Sequence, residues 1–227
     1  MKALLLAAGL GIRLQPITNS MPKALVVAEG KTLLEHSLDH LRSNGIVEVI
    51  INVHHFPMMI REFLQRNHNF GMEITISDES DVLLETGGGL KKAGWFFDNG
   101  KPFVVRNADV LSDMDLGLML ASHLEKGNLA TLAVRDRKTS RYFLFDESMK
   151  LSGWENRNTA ERNISRPASM YMPLAFSGIQ ILNPDIFPLI IETGKFSLTE
   201  LYLRLSAFQS ISGYIDNDSY WKDVGKG

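Results

Sequence analysis

An alternation constrains this fold most: short, continuously apolar runs are separated by longer segments with helical periodicity. Residues 3–8 (ALLLAA) lack the polar alternate positions of a half-exposed strand, so they read as a strand covered on both faces. The run breaks at Gly9. Thr32 and Glu35 then stand at capping-box spacing, and Leu34, Leu38 and Leu41 fall on one helical face that Gly45 ends. Residues 47–53 return as a strand. Pro57 opens a second helix with Ile60, Phe63 and Leu64 on its face, and residues 72–77 alternate as a strand. Gly87, Gly88 and Gly89 are expected to form a second glycine-rich loop ahead of a short helix. Residues 103–106 form another buried strand ending at Asn107, Ala108 and Asp109, followed by a helix over 115–126 and a strand over 129–134. This order implies a Rossmann-like three-layer α/β/α domain, its central sheet mostly parallel with helices on both faces.

The second half changes character. Residues 142–145 and 150–154 are expected as a hairpin, and the polar stretch 156–173 as a loop over a site. A long strand over 174–182 precedes helices over 184–192 and 199–208. No repeat or linker interrupts the chain, so residues 1–227 are expected as one domain, with halves 1–135 and 136–227. Twenty-four Lys and Arg against 26 Asp and Glu leave a net charge of −2, with no basic excess for nucleic acid or an anionic membrane. The absence of cysteine excludes disulfides, thiolate metal sites and cysteine nucleophiles. The opening apolar run is too short to span a bilayer. It has the order of a signal peptide, but Arg13 and a patterned chain follow directly, so a cytoplasmic protein is expected.

In an open parallel sheet, ligands bind at the carboxyl ends of strands where strand order reverses. The first such end is Ala7-Ala8-Gly9-Leu10-Gly11-Ile12-Arg13-Leu14. A dinucleotide loop needs a third glycine where Leu14 stands, and a P-loop needs a Gly-Lys-Ser/Thr ending that is missing here. What remains is a glycine-rich turn whose N–H groups can face an anion, with Arg13 as a bidentate clamp and Lys23 as a point charge. A tight turn with two solvated cations is the competing reading.

The stretch LAAGLGIRLQPITNSMPKAL, Leu6 to Leu25, resembles the pattern L-A-A-G-x-G-x-R-L-x-P-x-T-x-x-x-P-K-x-L of the sugar-1-phosphate nucleotidylyltransferases. Later blocks continue the resemblance in the family's order. Glu79 with Leu84-Glu85-Thr86-Gly87-Gly88 is similar to its nucleotide-base loop, and Val105 to Val110 (VRNADV) to its strand ending in a metal-binding aspartate. Phe176-Ser177-Gly178-Ile179 is similar to its sugar-contacting strand, and Tyr220 to Gly225 (YWKDVG) to its closing W-x-D-x-G. The resemblance implies attack by a sugar-1-phosphate oxygen on the α-phosphorus of a nucleoside triphosphate. It makes Arg13 and Lys23 the catalytic cations, and Ala8, Gly9, Gly11, Arg13, Lys23, Glu79, Thr86, Gly87 and Gly88 the nucleotide site. Asn107, Glu155, Arg157, Ser177 and Gly178 would hold the sugar phosphate, and Asp109 and Asp223 one Mg²⁺. The first half would then bind nucleotide and the second sugar. The expected partners are a nucleoside triphosphate and a sugar 1-phosphate, with the chain a monomer or small homo-oligomer.

Larger relatives carry an E-K-P element whose lysine contacts the sugar phosphate. Here Trp154-Glu155-Asn156-Arg157 stands instead, leaving Arg157, Arg162 or Arg166 as replacements. This replacement, the LLETGGG loop and the compact length are most similar to the N-acetylmuramate-1-phosphate uridylyltransferase subgroup, so UTP is favoured. A guanylyltransferase acting on mannose 1-phosphate is the alternative. Different classes are a glycosyltransferase using D-x-D at Asp113/Asp115 or Asp216/Asp218, and a non-catalytic nucleotide or sugar sensor. Asp113 reads equally as a cap for the helix from Asp115. Ser20 and Lys23 match S-x-x-K, but Pro22 disfavours the helix that motif needs. His36 and His40 lack the intervening glutamate of a zinc site and read as surface helix residues. His54 and His55 read as serving the helix start at Pro57.

Overall fold

The computed structural model describes residues 1–225. From the N-terminus, β1 (Ala3–Leu6) leads through three 3₁₀ turns to a small hairpin, β2 (Val27–Ala28) and β3 (Lys31–Thr32). Then follow α1 (Leu33–Ser43), β4 (Glu48–Val53), α2 (Pro57–Arg66), β5 (Glu73–Asp78), α3 (Glu85–Lys92), β6 (Phe103–Asn107), β7 (Val110–Ser112), α4 (Leu116–Glu125) and β8 (Ala130–Arg135). The second half comprises β9 (Arg141–Phe145), β10 (Leu151–Asn156), β11 (Glu161–Ile164), β12 (Met172–Leu182), α5 (Leu198–Ser206), β13 (Ile211–Ile215) and β14 (Trp221–Asp223).

β1 lies at the centre of the parallel half. It pairs in parallel with β4 on one side and β6 on the other, and β5 extends the β4 edge. Strand order therefore reverses between β1 and β6, which opens a crevice beyond their carboxyl ends. On the β6 side the sheet turns antiparallel through β12, then β9, β10 and β11; β12 also pairs with β8, which carries β13 in parallel. Alternate side chains of each inner strand feed two cores. Ala3 and Leu5 of β1 and Val104 of β6 pack with α1, α2 and α4, whereas Leu4, Phe103 and Val105 pack with α3 and α5. The three-layer α/β/α expectation holds, with the parallel strands drawn from the first half except for β13, which pairs with β8. Among the described residues no helix is long and apolar enough to cross a membrane.

Four local expectations are corrected. The glycine triplet lies inside α3 rather than in a loop before it. Each helical glycine costs about 1 kcal/mol relative to alanine, and close approach explains the choice. A Cβ on Gly88 would lie 2.5 Å from the Gly194 carbonyl oxygen, and one on Gly89 2.9 Å from a Glu79 carboxylate oxygen. Much of the polar stretch expected as a loop is strand: β11 pairs with β10 and widens the sheet. The helix at Pro184–Leu189 is 3₁₀. Asp115, not Asp113, caps α4, accepting from the Leu118 N–H at 3.0 Å, while Asp113 accepts from the Tyr220 N–H.

His40 is also misplaced by its spacing, because it is buried. Its Nε2 donates to the Met114 carbonyl at 2.8 Å, so Nδ1 is left as the acceptor for the Arg106 guanidinium. Burial and that neighbouring charge push its pKa from 6.5 down to about 4. His123, buried on α4 against Thr131, is likewise held down at about 4 by desolvation. Between pH 6.5 and 4 the unfolded chain therefore binds protons that the folded chain refuses. Stability falls as pH drops through that window, by up to about 3 kcal/mol per histidine, and is flat above it. Urea midpoints measured across this range are expected to show the slope, and His123→Leu to reduce it. A flat wild-type profile contradicts buried neutral imidazoles.

Candidate active site

Two cavities open at the carboxyl ends of β1 and β6, sharing Asn107 and Asp109 as their common wall. The first, about 380 Å³, is lined by the chain leaving β1 (Leu6 to Gly9, and Gly11), by Asn107, Ala108 and Asp109 after β6, and by Leu83, Glu85 and Thr86 at the start of α3. Its floor is fixed by a buried relay. The Ala7 N–H donates to Asn52 Oδ1 at 2.7 Å, and Asn52 Nδ2 donates to Glu79 Oε1 at 2.8 Å. The other Glu79 oxygen accepts from the Leu84 N–H, and His54 Nδ1 donates to the Glu79 carbonyl. Glu79 thus ties the β1 loop to the start of α3.

The glycine-rich segment is followed by no α-helix, consistent with its failing both nucleotide-loop patterns. It folds as successive 3₁₀ turns over Ile12–Leu14, Ile17–Asn19 and Lys23–Leu25. Gly11 takes φ +66°, and a Cβ there would meet Thr18 Cγ2 at 2.7 Å, so only glycine allows this turn without strain. The turns leave Arg13 exposed at the second cavity and bring Lys23 back beneath the loop. Lys23 Nζ donates to Asp109 Oδ2 at 2.5 Å.

Asp109 follows β6, and Asp223 ends β14. These distant positions meet because β14 pairs antiparallel with β7, Asp223 opposite Val110, and the Val224 N–H donates to the Asp109 carbonyl at 3.0 Å. A Cβ on Gly225 would lie 2.5 Å from Lys23 Nζ, 3.2 Å from Asp223 Oδ1 and 3.3 Å from Asp109 Oδ2. One small region thus gathers two carboxylates and an ammonium, and Gly225 leaves it clear. A divalent cation fits this donor set. Among the described residues no group of three His, Cys, Asp or Glu converges, and two carboxylates are the number that Mg²⁺ takes when phosphate oxygens and water complete its shell.

The second cavity, about 290 Å³, is cationic and aromatic, lined by Arg13, Arg137, Arg141, Tyr142, Trp154 and Trp221 among others. The Arg137 guanidinium lies 4.3 Å from the Trp221 ring centre and donates to the Phe176 carbonyl at 3.0 Å. Trp221 Nε1 in turn donates to the Ser177 carbonyl. Burial lowers the Arg137 pKa, partly offset by the Asp223 charge, and leaves its buried Nε without a partner.

The sequence model of the family described as nucleotidyl transferase matches residues 2–227. The chain belongs to the nucleotidyl transferase family. It is 33% identical to N-acetylmuramate alpha-1-phosphate uridylyltransferase of Caulobacter vibrioides, over 98% of this chain and 91% of that one. It is 30% identical to UTP–glucose-1-phosphate uridylyltransferase of Synechocystis and 29% to mannose-1-phosphate guanyltransferase of Yarrowia lipolytica, over the whole chain in both cases. Of these two longer relatives it spans only 60% and 61% of the length. The fold is shared with HddC from Yersinia pseudotuberculosis complexed with GMP-PN, at TM-score 0.79, 20% identity, and 99% and 93% coverage of the two chains.

In this member of the family the expected site residues fall in five places. Ala8, Gly9, Gly11, Lys23 and Thr86 line the first cavity; Arg13, Ser177, Gly178 and Asp223 line the second; Asn107 and Asp109 line both. Glu79, Gly87 and Gly88 lie behind the first cavity, where Glu79 is spent on Asn52 and Leu84, and the Gly87 N–H donates to the Phe196 carbonyl. Glu155 and Arg157 line neither cavity. They pair with each other at 2.8 Å, and Arg157 stacks over the back of Tyr142 at 4.2 Å. Arg162 stacks on Tyr171, and neither it nor Arg166 lines either cavity. Sequence reasoning passed over Arg137 and Arg141. Their clue was a basic cluster, Arg135 to Arg141, at a strand's carboxyl end in a chain of balanced charge.

Proposed function

We propose that this chain transfers a uridylyl group from UTP to a sugar 1-phosphate, releasing pyrophosphate with Mg²⁺. The observation that carries the reading is the convergence of Lys23, Asp109 and Asp223 at the wall between an apolar cavity and a cationic one. A nucleoside in the first and a sugar phosphate in the second would meet at that wall. An oxygen of the sugar phosphate attacks the α-phosphorus, the bond from that phosphorus to the bridging oxygen breaks, and pyrophosphate departs with the electron pair. No enzyme nucleophile is needed; the protein's task is to align anions and offset their charge.

The N–H groups after β1 face the nucleotide phosphates, and Arg13 approaches the departing pyrophosphate. Lys23 offsets the charge that grows on the α-phosphate. Asp109 and Asp223 would hold Mg²⁺, which supplies Lewis-acid neutralisation of phosphate oxygens. Arg137 and Arg141 take the role that Arg157 does not reach. N-acetylmuramate 1-phosphate bears a carboxylate besides its phosphate, and Arg137 and Arg141 offer one guanidinium for each of these anionic groups. The match over most of both chains to an N-acetylmuramate alpha-1-phosphate uridylyltransferase supports the same choice. A cytoplasmic monomer or small homo-oligomer goes with this reading.

The test is pyrophosphate release with UTP, GTP, CTP and ATP, each against N-acetylmuramate, glucose, N-acetylglucosamine and mannose 1-phosphates. The highest kcat/KM is expected for UTP with the muramate ester. Preference for GTP with mannose 1-phosphate overturns the substrate assignment. Nucleotide binding without pyrophosphate release from any pair overturns the reaction. Consumption of a finished nucleotide sugar would point to a glycosyltransferase.

A further inference from the structure

We propose that Ser37 and His40 on α1 and Asn44 at its C-terminal cap act with the buried Arg106 as a latch that positions Asp109, so that these are positioning residues for the transfer. The proposal rests on the function proposed above. Spacings of three and four residues place the α1 side chains on one helical face, and all of them reach the segment that carries Asp109. Ser37 Oγ donates to the Ala108 carbonyl at 3.3 Å, and Arg106 Nη2 to the Val110 carbonyl at 2.5 Å. The two peptide carbonyls flanking Asp109 are therefore both held. Farther along, His40 Nε2 donates to the Met114 carbonyl, and the Leu116 N–H donates to Asn44 Oδ1 at 2.9 Å. His40 closes the network by accepting from Arg106 Nη1.

Packing alone does not explain Arg106. It is fully buried on β6, level with Leu5 of β1 and Ile179 of β12, where an apolar side chain would avoid desolvating a charge. Its Nε has no partner, and its contacts are an imidazole and a carbonyl rather than a carboxylate. The negative charge that stabilises it is Asp109 itself. The arrangement spends a buried cation on fixing the turn after β6.

Arg106→Met and His40→Leu test the latch by two readouts. Amide hydrogen exchange over residues 108–116 is expected to accelerate about tenfold or more, while the β4 and β5 amides keep wild-type rates. In turnover, kcat is expected to fall about 10–100-fold and the half-saturating Mg²⁺ concentration to rise, with KM for UTP within about twofold. His40→Gln keeps an acceptor for Arg106 and a donor for Met114, and is expected to restore kcat to within about threefold of wild type. Loss of thermal stability with wild-type exchange at 108–116 and an unchanged Mg²⁺ requirement overturns the proposal. Should Arg106→Met not fold, Ser37→Ala removes only the bond to Ala108, and unchanged exchange there has the same consequence. The exchange readout needs no turnover. A wild-type protein without transferase activity therefore defeats the proposed function, while the latch stands or falls on exchange alone.

Discussion

Asp109→Asn is expected to lower kcat on the order of 10³-fold and, because it removes the charge that faces buried Arg106, to lower the Tm as well; Asp223→Asn is expected to lower kcat nearly as much with little change in thermal stability. In Asp223→Asn the fold is spared because asparagine keeps the shape and one acceptor oxygen. The backbone carbonyl of Asp109, not its side chain, receives the Val224 N–H, so the β7–β14 register is unaffected. Asp223 Oδ1 accepts from the Gly225 N–H at 2.9 Å, and an asparagine oxygen can do the same. What each variant removes is one negative charge from a region where two carboxylates face a single point. A cation that relies on one or two carboxylates and otherwise on substrate oxygens cannot spare either. Because the pair works as a unit, the double variant is expected to be scarcely worse than either single one. Pyrophosphate release against Mg²⁺ concentration, with a thermal melt as control, checks this. Near-normal Mg²⁺-dependent turnover in either variant removes that residue from the metal site.

The parallel half was legible in the sequence because doubly covered strands carry contiguous apolar residues, as 3–8, 49–51 and 103–105 do. The switch point followed from strand order. Asp109 and Asp223 were reachable only through family resemblance, since the three-residue strands β7 and β14 that join them carry no periodicity. The glycine triplet misled because composition reports conformational freedom. What decides that segment is crowding against Gly194, Asn52 and Glu79, elements remote in sequence. His40 misled for a related reason. A helix histidine with polar neighbours reads as exposed until a buried arginine from another strand supplies its partner. Arg137 and Arg141 were not legible because the family's sugar-phosphate lysine belongs to the hairpin, whereas these two line the second cavity from the link after β8 and from the first residue of β9.

Lys23→Ala is expected to lower kcat on the order of 10²–10³-fold while KM for UTP changes only a few-fold, because its charge matters most as charge accumulates on the α-phosphate. In the structure the ammonium rests on Asp109 Oδ2 at 2.5 Å and lies beside Gly225, next to which Asp223 also comes. Its side chain is 17% exposed and that of Asp109 27%, so solvent still screens the pair, and the bridge itself contributes only about 1 kcal/mol to stability. Its removal takes from Asp109 the resident cation that Mg²⁺ would otherwise have to displace. Added Mg²⁺ is therefore expected to raise the Tm of Lys23→Ala more than that of wild type, even as the variant turns over slowly. Arginine is a poor substitute here: its planar fork cannot occupy the compact place of an ammonium beside Gly225, so Lys23→Arg is expected to recover little. Equal losses in kcat and UTP affinity would make Lys23 a ground-state binding residue, and an unchanged Mg²⁺ response in the melt would show that it does not share the carboxylate site.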